Sequence, residues 1–214
     1  MQTIPKLLLK ATTFSAQKHR DQRRKDAQAS PYINHPLELV SLLIEEARIE
    51  DPAVLMAALL HDTLEDTQTT VQELVATFGG WVCSLVLELS DNPHLKKRRR
   101  KALQVKNARR LSKRARWIKL ADKICNLRDV ASNPPPNWSL RRQIDYFDWT
   151  RSVVGGLRGS HQRLEALFDE VYSRRPYPQR WRQHRKPAVH GAYPFCGDLC
   201  MHSDNAASGA RALK

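Results

Sequence analysis

The chain has 214 residues and a formal net charge of +14, and 41% of its residues are hydrophobic, which is enough for one domain with a sizeable core. Its longest apolar run, around 54–60, is far below the roughly 18 residues of a membrane-spanning helix, and its four cysteines are too few and too unevenly placed to suggest a disulfide framework. These features predict a cytosolic protein with no membrane partner.

The first predicted elements are helices separated by proline-containing segments. An apolar face of helical period predicts a first helix in place of a secretory signal, and this face comprises Leu7, Leu8, Ala11, Phe14 and Ala16. Residues 30–36 (SPYINHP) form a short extended entry, because a residue before proline avoids helical backbone angles. The last proline of that segment opens a helix over 37–47, and Asp51-Pro52 repeats the signal before a helix over 53–64.

The remainder of the chain also has helical patterns, and strand patterns are nearly absent. A capping threonine and a pair of glycines bound one helix, and a proline-rich loop precedes the last two. The predicted helices cover 69–79, 81–89, 116–130, 140–154 and 161–172. The predicted fold class is therefore all-α.

The segment 57–67 (AALLHDTLEDT) concentrates side chains that can bind a metal or transfer a proton. Its first four residues are strong helix formers, and extending that helix places His61 over Glu65 and Asp62 over Asp66. Three carboxylates this close repel one another unless a cation or a raised pKa relieves them. The pattern predicts the centre of an active site, and the alternative is a polar helix end in water.

Further candidate ligands lie elsewhere in the chain. Asp122 stands in the apolar segment IKLADKICNLRDV, where a charged group needs a partner, and His35 stands beside a proline at a helix start. Taken alone, Asp122 could cap a helix or pair with a neighbour, and His35 could be an ordinary buried histidine. Together with His61 and Asp62 they supply two imidazoles and two carboxylates, which suit a borderline divalent cation such as Mn²⁺, Fe²⁺ or Zn²⁺.

The positive charge is concentrated in two segments. Residues 96–116 contain twelve Lys or Arg and no Asp or Glu, and residues 174–214 contain eight basic and two acidic residues. The first segment fits a solvated basic face, a polyanionic small-molecule substrate or RNA equally well. The second is rich in Pro, Arg, Gly and Ser with little apolar periodicity, so it is predicted to be a disordered tail following a domain over 1–173.

The motifs RRKD, YINHP, AALLHDTLEDT, FG, RK and IKLADKICNLRD, in this order, closely resemble those of the HD-domain alarmone hydrolases, the hydrolase half of the RelA/SpoT family. The resemblance runs unbroken through about residues 5–173. It implies an all-α fold with a short β-hairpin and one Mn²⁺ per chain, held by His35, His61, Asp62 and Asp122. The implied reaction removes the 3′-pyrophosphate of ppGpp, and NADPH, through its 2′-phosphate, is a second implied substrate. The catalytic pair of the family falls on Glu65 and Asp66.

A highly charged nucleotide also needs cationic and aromatic contacts. The candidate substrate-binding residues are Arg24, Lys25, Tyr32, Lys97, Arg100, Lys101, Asn126, Trp138, Arg142 and Tyr146. Residues 96–101 depart from the family pattern, because Arg99 stands where an acidic residue often precedes the Arg-Lys pair.

The rival hypothesis is a basic nucleic-acid-binding helical protein in which the HD residues are a non-catalytic remnant, with the basic tail as the contact. All six metal and catalytic positions hold chemically competent residues, which favours the enzyme. The sequence indicates no oligomeric state.

Overall fold

The computed structural model describes residues 3–177, and over this range the chain is a bundle of α-helices. A π-helical turn, Leu42–Glu46, follows the second helix, and a 3₁₀ turn, Ala108–Arg110, follows the seventh. The helices are α1 (Ile4–Lys18), α2 (Asn34–Ser41), α3 (Pro52–Leu60), α4 (Thr63–Asp66), α5 (Val71–Phe78), α6 (Gly80–Leu89), α7 (Lys97–Asn107), α8 (Lys113–Ser132), α9 (Leu140–Gly155) and α10 (Gln162–Ser173).

The all-α prediction is confirmed. Between α1 and α2, an isolated antiparallel bridge pairs Arg23 with Pro31, and within residues 3–177 the implied β-hairpin is reduced to this bridge. Each helix within residues 3–177 is too short or too polar to span a lipid bilayer.

Short polar side chains cap the N-terminal ends of several helices, which start within three residues of their predicted starts. The Asp51 carboxylate accepts hydrogen bonds from the backbone N–H groups of Ala53 and Val54, and Pro52 occupies the first turn of α3. Hydroxyl groups cap three other helices in the same way: Thr70 for α5, Ser112 for α8 and Ser139 for α9. The basic segment, which carries no helix in the prediction, forms α7 because Lys, Arg, Ala, Leu and Gln are good helix formers.

The helix predicted over 53–64 is interrupted, and this corrects its C-terminal half. α3 ends at Leu60, a turn contains His61 and Asp62, and α4 is a separate single turn. Two side chains accompany the break: His61 Nδ1 lies 2.8 Å from the carbonyl oxygen of Ala58, and Thr63 Oγ1 donates to that of Leu60 at 2.7 Å. These side-chain bonds replace backbone bonds of the last helical turn, so the helix does not continue.

The core forms around α3, in which every residue from Val54 to Leu60 is buried. α3 packs against α1, α2, α6 and α8. α8 contributes the buried side chains of Ile118, Leu120, Ala121, Ile124 and Leu127 to the same core. The C-terminal end of α3 and the middle of α8 therefore meet inside the molecule, and this meeting point positions the site.

The compact unit of the described chain extends beyond α10. The described residues, 3–177, belong to one compact unit. Arg175 makes two hydrogen bonds to the Asp148 carboxylate on α9, at 2.7 and 2.6 Å. The predicted disordered tail, with its predicted contact to nucleic acid, lies almost entirely outside the described residues and stays a prediction.

Candidate active site

The four predicted metal ligands come together from three parts of the fold. His35 stands at the start of α2, His61 and Asp62 follow the end of α3, and Asp122 lies in the middle of α8. His35 Nε2 is 3.2 Å from Asp122 Oδ1, and His61 Nε2 is 2.9 Å from Asp62 Oδ2. Candidate ligand atoms of His35, His61 and Asp62 all lie within 4.8 Å of one another. The sequence separates these residues by up to 87 positions, and packing of α2, α3 and α8 joins them.

The hydrogen bonding of His61 fits a cation. Because its Nδ1 is directed at the carbonyl oxygen of Ala58, the neutral ring carries its lone pair on Nε2, which is buried and has no well-aligned hydrogen-bond partner. That nitrogen faces Asp62 Oδ2, so two electron-rich atoms meet. Burial favours the neutral ring, but the Asp62 charge outweighs it and raises the pKa of His61 to about 9. A proton or a metal ion relieves the contact, and two imidazoles with two carboxylates suit a divalent metal.

The candidate ligands are held by neighbouring polar groups. The ammonium of Lys123 donates to Asp122 Oδ2 at 2.9 Å, and the amide of Asn126 donates to Asp122 Oδ1. Burial alone would raise the pKa of Asp122, but the charge of Lys123 and the His35 contact hold it well below its ordinary value. The Tyr32 hydroxyl donates to Asp62 Oδ2. Tyr32 and Asn126, predicted as substrate contacts, therefore also support candidate ligands.

The two predicted catalytic carboxylates occupy different environments on α4. Glu65 is largely buried, accepts a hydrogen bond from the backbone N–H of Asp91 at 2.5 Å, and lies 3.8 Å from Arg100. This burial raises the pKa of Glu65 to about 7. Asp66 is exposed and accepts a hydrogen bond from the side-chain amide of Gln22 at 3.0 Å. One carboxylate is thus poised to change protonation near neutral pH, and the other faces the open side.

A cavity of about 650 Å³ opens beside these groups, and His35 and Asp66 are in its wall. Its volume is that of a nucleotide-sized site. Nine of the ten predicted substrate-binding residues line it: Arg24, Lys25, Tyr32, Lys97, Lys101, Asn126, Trp138, Arg142 and Tyr146. The tenth, Arg100, is not among the lining residues and instead faces Glu65.

Cations and aromatic rings form one wall of the cavity. Arg142 lies over the Trp138 ring at 4.5 Å, and Lys101 lies over the ring of Tyr146 at 5.3 Å. Burial and the neighbouring cations lower the pKa of both Lys97 and Lys101. Crowded cations of this kind gain from a bound anion, and the rings beside them offer apolar faces for a base or a ribose.

The sequence reasoning missed several residues at the site. Gln22 and Lys123 support Asp66 and Asp122, and the carboxylates Glu38 and Asp129 line the cavity near His35. Asp129 also accepts a hydrogen bond from Arg24, which pairs one predicted substrate cation within the protein. The i+7 spacing of Asp122 and Asp129 on one helix face was the available signal for Asp129.

The all-α fold and the His-Asp cluster are those of an HD domain. The HD domain family matches residues 11–145, and the chain belongs to that family. An HD domain implies a divalent metal ion, for which the His35, His61 and Asp62 cluster provides a candidate site. Within the family, the chain is similar to two proteins named guanosine-3′,5′-bis(diphosphate) 3′-pyrophosphohydrolase MESH1. The Xenopus tropicalis protein is 48% identical over 78% of this chain and 93% of its own length. The Drosophila melanogaster protein is 46% identical over 82% of this chain and 98% of its own length.

A solved structure is similar as well. It belongs to a metazoan ortholog of SpoT described as hydrolyzing ppGpp and playing a role in starvation responses. Its TM-score against this chain is 0.77 at 46% sequence identity, covering 79% of this chain and 95% of the other. The similarity therefore extends through nearly the whole of these relatives.

Proposed function

We propose that this chain is a metal-dependent hydrolase that removes the 3′-pyrophosphate of ppGpp, giving GDP and pyrophosphate. The observation that carries the proposal is the 48% identity to a MESH1 enzyme over 93% of that enzyme's length. The basic cavity beside the His-Asp cluster supports it independently, because a ligand with four phosphates requires clustered cations.

His35, His61, Asp62 and Asp122 are the residues that would hold the metal, which we propose to be Mn²⁺. The mixed imidazole and carboxylate set supports Mn²⁺ over an all-oxygen Mg²⁺ site. When bound, such a cation activates water and polarises a phosphoryl oxygen. The Ala58 carbonyl, the Lys123 ammonium and the Tyr32 hydroxyl hold the side chains of these ligands in place.

Glu65 and Asp66 are the proposed proton-transfer groups. Hydrolysis forms a bond from the water oxygen to the phosphorus and breaks the bond from that phosphorus to the ribose 3′ oxygen, which then takes a proton. Because the pKa of Glu65 is raised to about 7, this side chain can accept a proton and release it again at neutral pH. Asp66 faces the cavity, so its carboxylate is available to orient water or the leaving oxygen.

The cavity wall accounts for nucleotide binding. The basic side chains of Lys25, Lys97 and Lys101 provide positive charge for the pyrophosphate groups. Trp138 and Tyr146, with ring centroids 5.3 Å apart, provide an aromatic surface for the base. These contacts are part of the proposal. Hydrolysis of NADPH at its 2′-phosphate is proposed as well, because NADPH also carries a phosphate on a ribose.

The test is a phosphate and pyrophosphate release assay with ppGpp, NADPH, GTP and ATP, each with Mn²⁺, Mg²⁺, Zn²⁺ or chelator. We expect release of pyrophosphate from ppGpp with Mn²⁺, and none from the His61→Ala variant, which should also lose bound metal while keeping its helical circular dichroism. Full activity of a metal-free His61→Ala protein would contradict the assignment of the His-Asp cluster as the metal site. Nucleic-acid binding without release of phosphate would favour the rival hypothesis, and a filter-binding titration against salt measures it.

A further inference from the structure

Gln22 lies just beyond α1, and all four of its polar groups are engaged. Its backbone N–H donates to the carbonyl oxygen of His19 at 2.9 Å, and its own carbonyl oxygen accepts from the backbone N–H of Tyr32 at 3.1 Å. Its side-chain oxygen lies 2.6 Å from His19 Nδ1, and its side-chain nitrogen donates to Asp66 Oδ2 at 3.0 Å. The residue is therefore fixed at both ends and links a buried histidine to a carboxylate in the cavity wall.

The direction of this chain of hydrogen bonds follows from its ends. A carboxylate only accepts hydrogen bonds, so the amide nitrogen of Gln22 must face Asp66 and the amide oxygen must face His19. His19 Nδ1 then carries the proton. The His19 ring is 2% exposed and lies against the Tyr32 ring at 4.8 Å between centroids, and its burial lowers its pKa and favours the neutral form. A rigid, neutral donor thus fixes the orientation of the Gln22 amide.

Asp66 needs such a support because its own element is short. α4 is a single turn of four residues, and the Asp66 side chain is exposed at the cavity wall. An exposed carboxylate on one helical turn samples several rotamers unless a partner selects one. The hydrogen bond from Gln22 selects the rotamer in which Oδ2 is directed at the Gln22 amide nitrogen.

We infer that Gln22 is a positioning residue that holds the Asp66 carboxylate in its working orientation, with His19 fixing the Gln22 amide. This inference rests on the proposed function, since it assigns Asp66 a part in the hydrolysis. It concerns the rate of the chemical step and not the binding of substrate. Gln22 also lines the cavity, so the Michaelis constant has to be measured alongside the turnover number.

The experiment is steady-state kinetics on the full-length Mn²⁺ protein with ppGpp. We expect Gln22→Ala to lower kcat roughly tenfold or more, as for a displaced catalytic group, with KM changed less than about twofold. Gln22→Glu keeps the length but turns a carboxylate toward Asp66, so kcat should fall at least as far. The matched control is Gln17→Ala, an exposed glutamine on α1, which should leave both constants unchanged.

A double variant separates positioning of Asp66 from a general structural effect. In the Asp66→Asn background the carboxylate is gone, so adding Gln22→Ala should slow the enzyme no further. The same fold loss in both backgrounds would overturn the inference, as would an unchanged kcat in Gln22→Ala. If the wild-type chain releases no pyrophosphate, the proposed function fails instead. In that case the Gln22–Asp66 interaction is tested by the thermal midpoints of Gln22→Ala, Asp66→Ala and the double variant. Additive shifts in midpoint would contradict an interaction between the two side chains, and non-additive shifts would support it.

Discussion

Lys123 Nζ donates a hydrogen bond to Asp122 Oδ2 at 2.9 Å, and the two side chains are only 6% and 9% exposed. Burial opposes charge on both groups, but the attraction to Asp122 raises the pKa of Lys123 above its ordinary value. The lysine is thus the charge partner of a candidate metal ligand. A bound cation would also compensate the charge of Asp122, so the contribution of this ion pair to folding stability and the binding of metal are linked.

Lys123→Met tests this linkage. In the metal-free protein it leaves a buried carboxylate without its cation, which should cost about 3–5 kcal/mol of unfolding free energy. Added Mn²⁺ should then raise the thermal midpoint of the variant by more than it raises that of the wild type, because the ion takes over the compensation. Lys10→Met is the control, since the Lys10 ammonium on α1 donates to the backbone carbonyl of Thr77. Equal metal-induced shifts in all three proteins would contradict the linkage.

Glu65→Gln tests the raised pKa of Glu65 without reference to activity. The folded protein holds the Glu65 proton up to a pKa of about 7, against an ordinary value of 4.5. The unfolded chain releases that proton first, so Glu65 lowers stability progressively as pH rises from about 4.5 to 7, and the full cost remains above 7. In chelator, Glu65→Gln should gain up to about 3 kcal/mol relative to wild type between pH 4.5 and 8.

The control for this titration is Glu45→Gln, which changes an exposed carboxylate at the π-helical turn. Subtracting its stability difference from that of Glu65→Gln at each pH isolates the contribution of the buried site. Asp62, Asp91, Arg100 and Lys119 are the charged groups around Glu65, and all four are retained in the Glu65→Gln variant. A pH-independent difference for Glu65→Gln, measured by denaturant unfolding, would contradict the raised pKa of Glu65 in the folded protein.

Ala29→Gly tests backbone strain in the segment beside the cavity. Ala29 has φ of 49°, a left-handed conformation that costs an L-residue about 1–2 kcal/mol. Glycine removes this cost but loses more entropy on folding, so a net gain of up to about 1 kcal/mol in unfolding free energy is expected. Ala27→Gly, an exposed neighbour, lacks the positive φ and should lose stability. Equal losses in both variants, measured by urea unfolding, would contradict the strain at Ala29.

The sequence allowed the fold class and most helix starts to be predicted because they depend on local chemistry. Asp51-Pro52 caps and opens α3 by contacts within three residues, which any helix of this sequence would make. The break at His61 and Asp62 was missed because it comes with side-chain bonds to backbone carbonyls at a helix end, which compete with a strong helical propensity.

The sequence predicted which residue types form the candidate site, but it did not predict the hydrogen-bond and ion-pair partners of those residues. Imidazoles and carboxylates in specific motifs indicated a candidate ligand set, and its four side chains lie close together in the fold. The partners of Tyr32 and Arg100 depend on the packing of distant segments: Tyr32 reaches Asp62 across 30 positions, and Arg100 reaches Glu65 from α7. Local pattern carries no information on such pairs, so the sequence alone predicts these two residues as substrate contacts, and that role stays a prediction.

Truncation tests where the domain ends. Ending the chain after Ser173 removes Arg175, whose guanidinium binds the Asp148 carboxylate through two hydrogen bonds, whereas ending it after Tyr177 keeps that contact. A partly exposed bidentate pair of this kind contributes about 1 kcal/mol, which corresponds to roughly 2–4 °C in thermal midpoint for a domain of this size. The chain ending at Ser173 should show this decrease in thermal midpoint, and Arg175→Ala in the full chain should reproduce it.

Both truncated chains should keep the proposed hydrolysis, because the cavity and the His-Asp cluster lie within residues 22–146. Ending the chain after Ser173 removes eight basic and two acidic residues (+6), and ending it after Tyr177 removes six basic and two acidic residues (+4), so both truncations should weaken adsorption to heparin. A collapse of the midpoint in the chain ending at Tyr177 would show that the domain needs residues beyond 177.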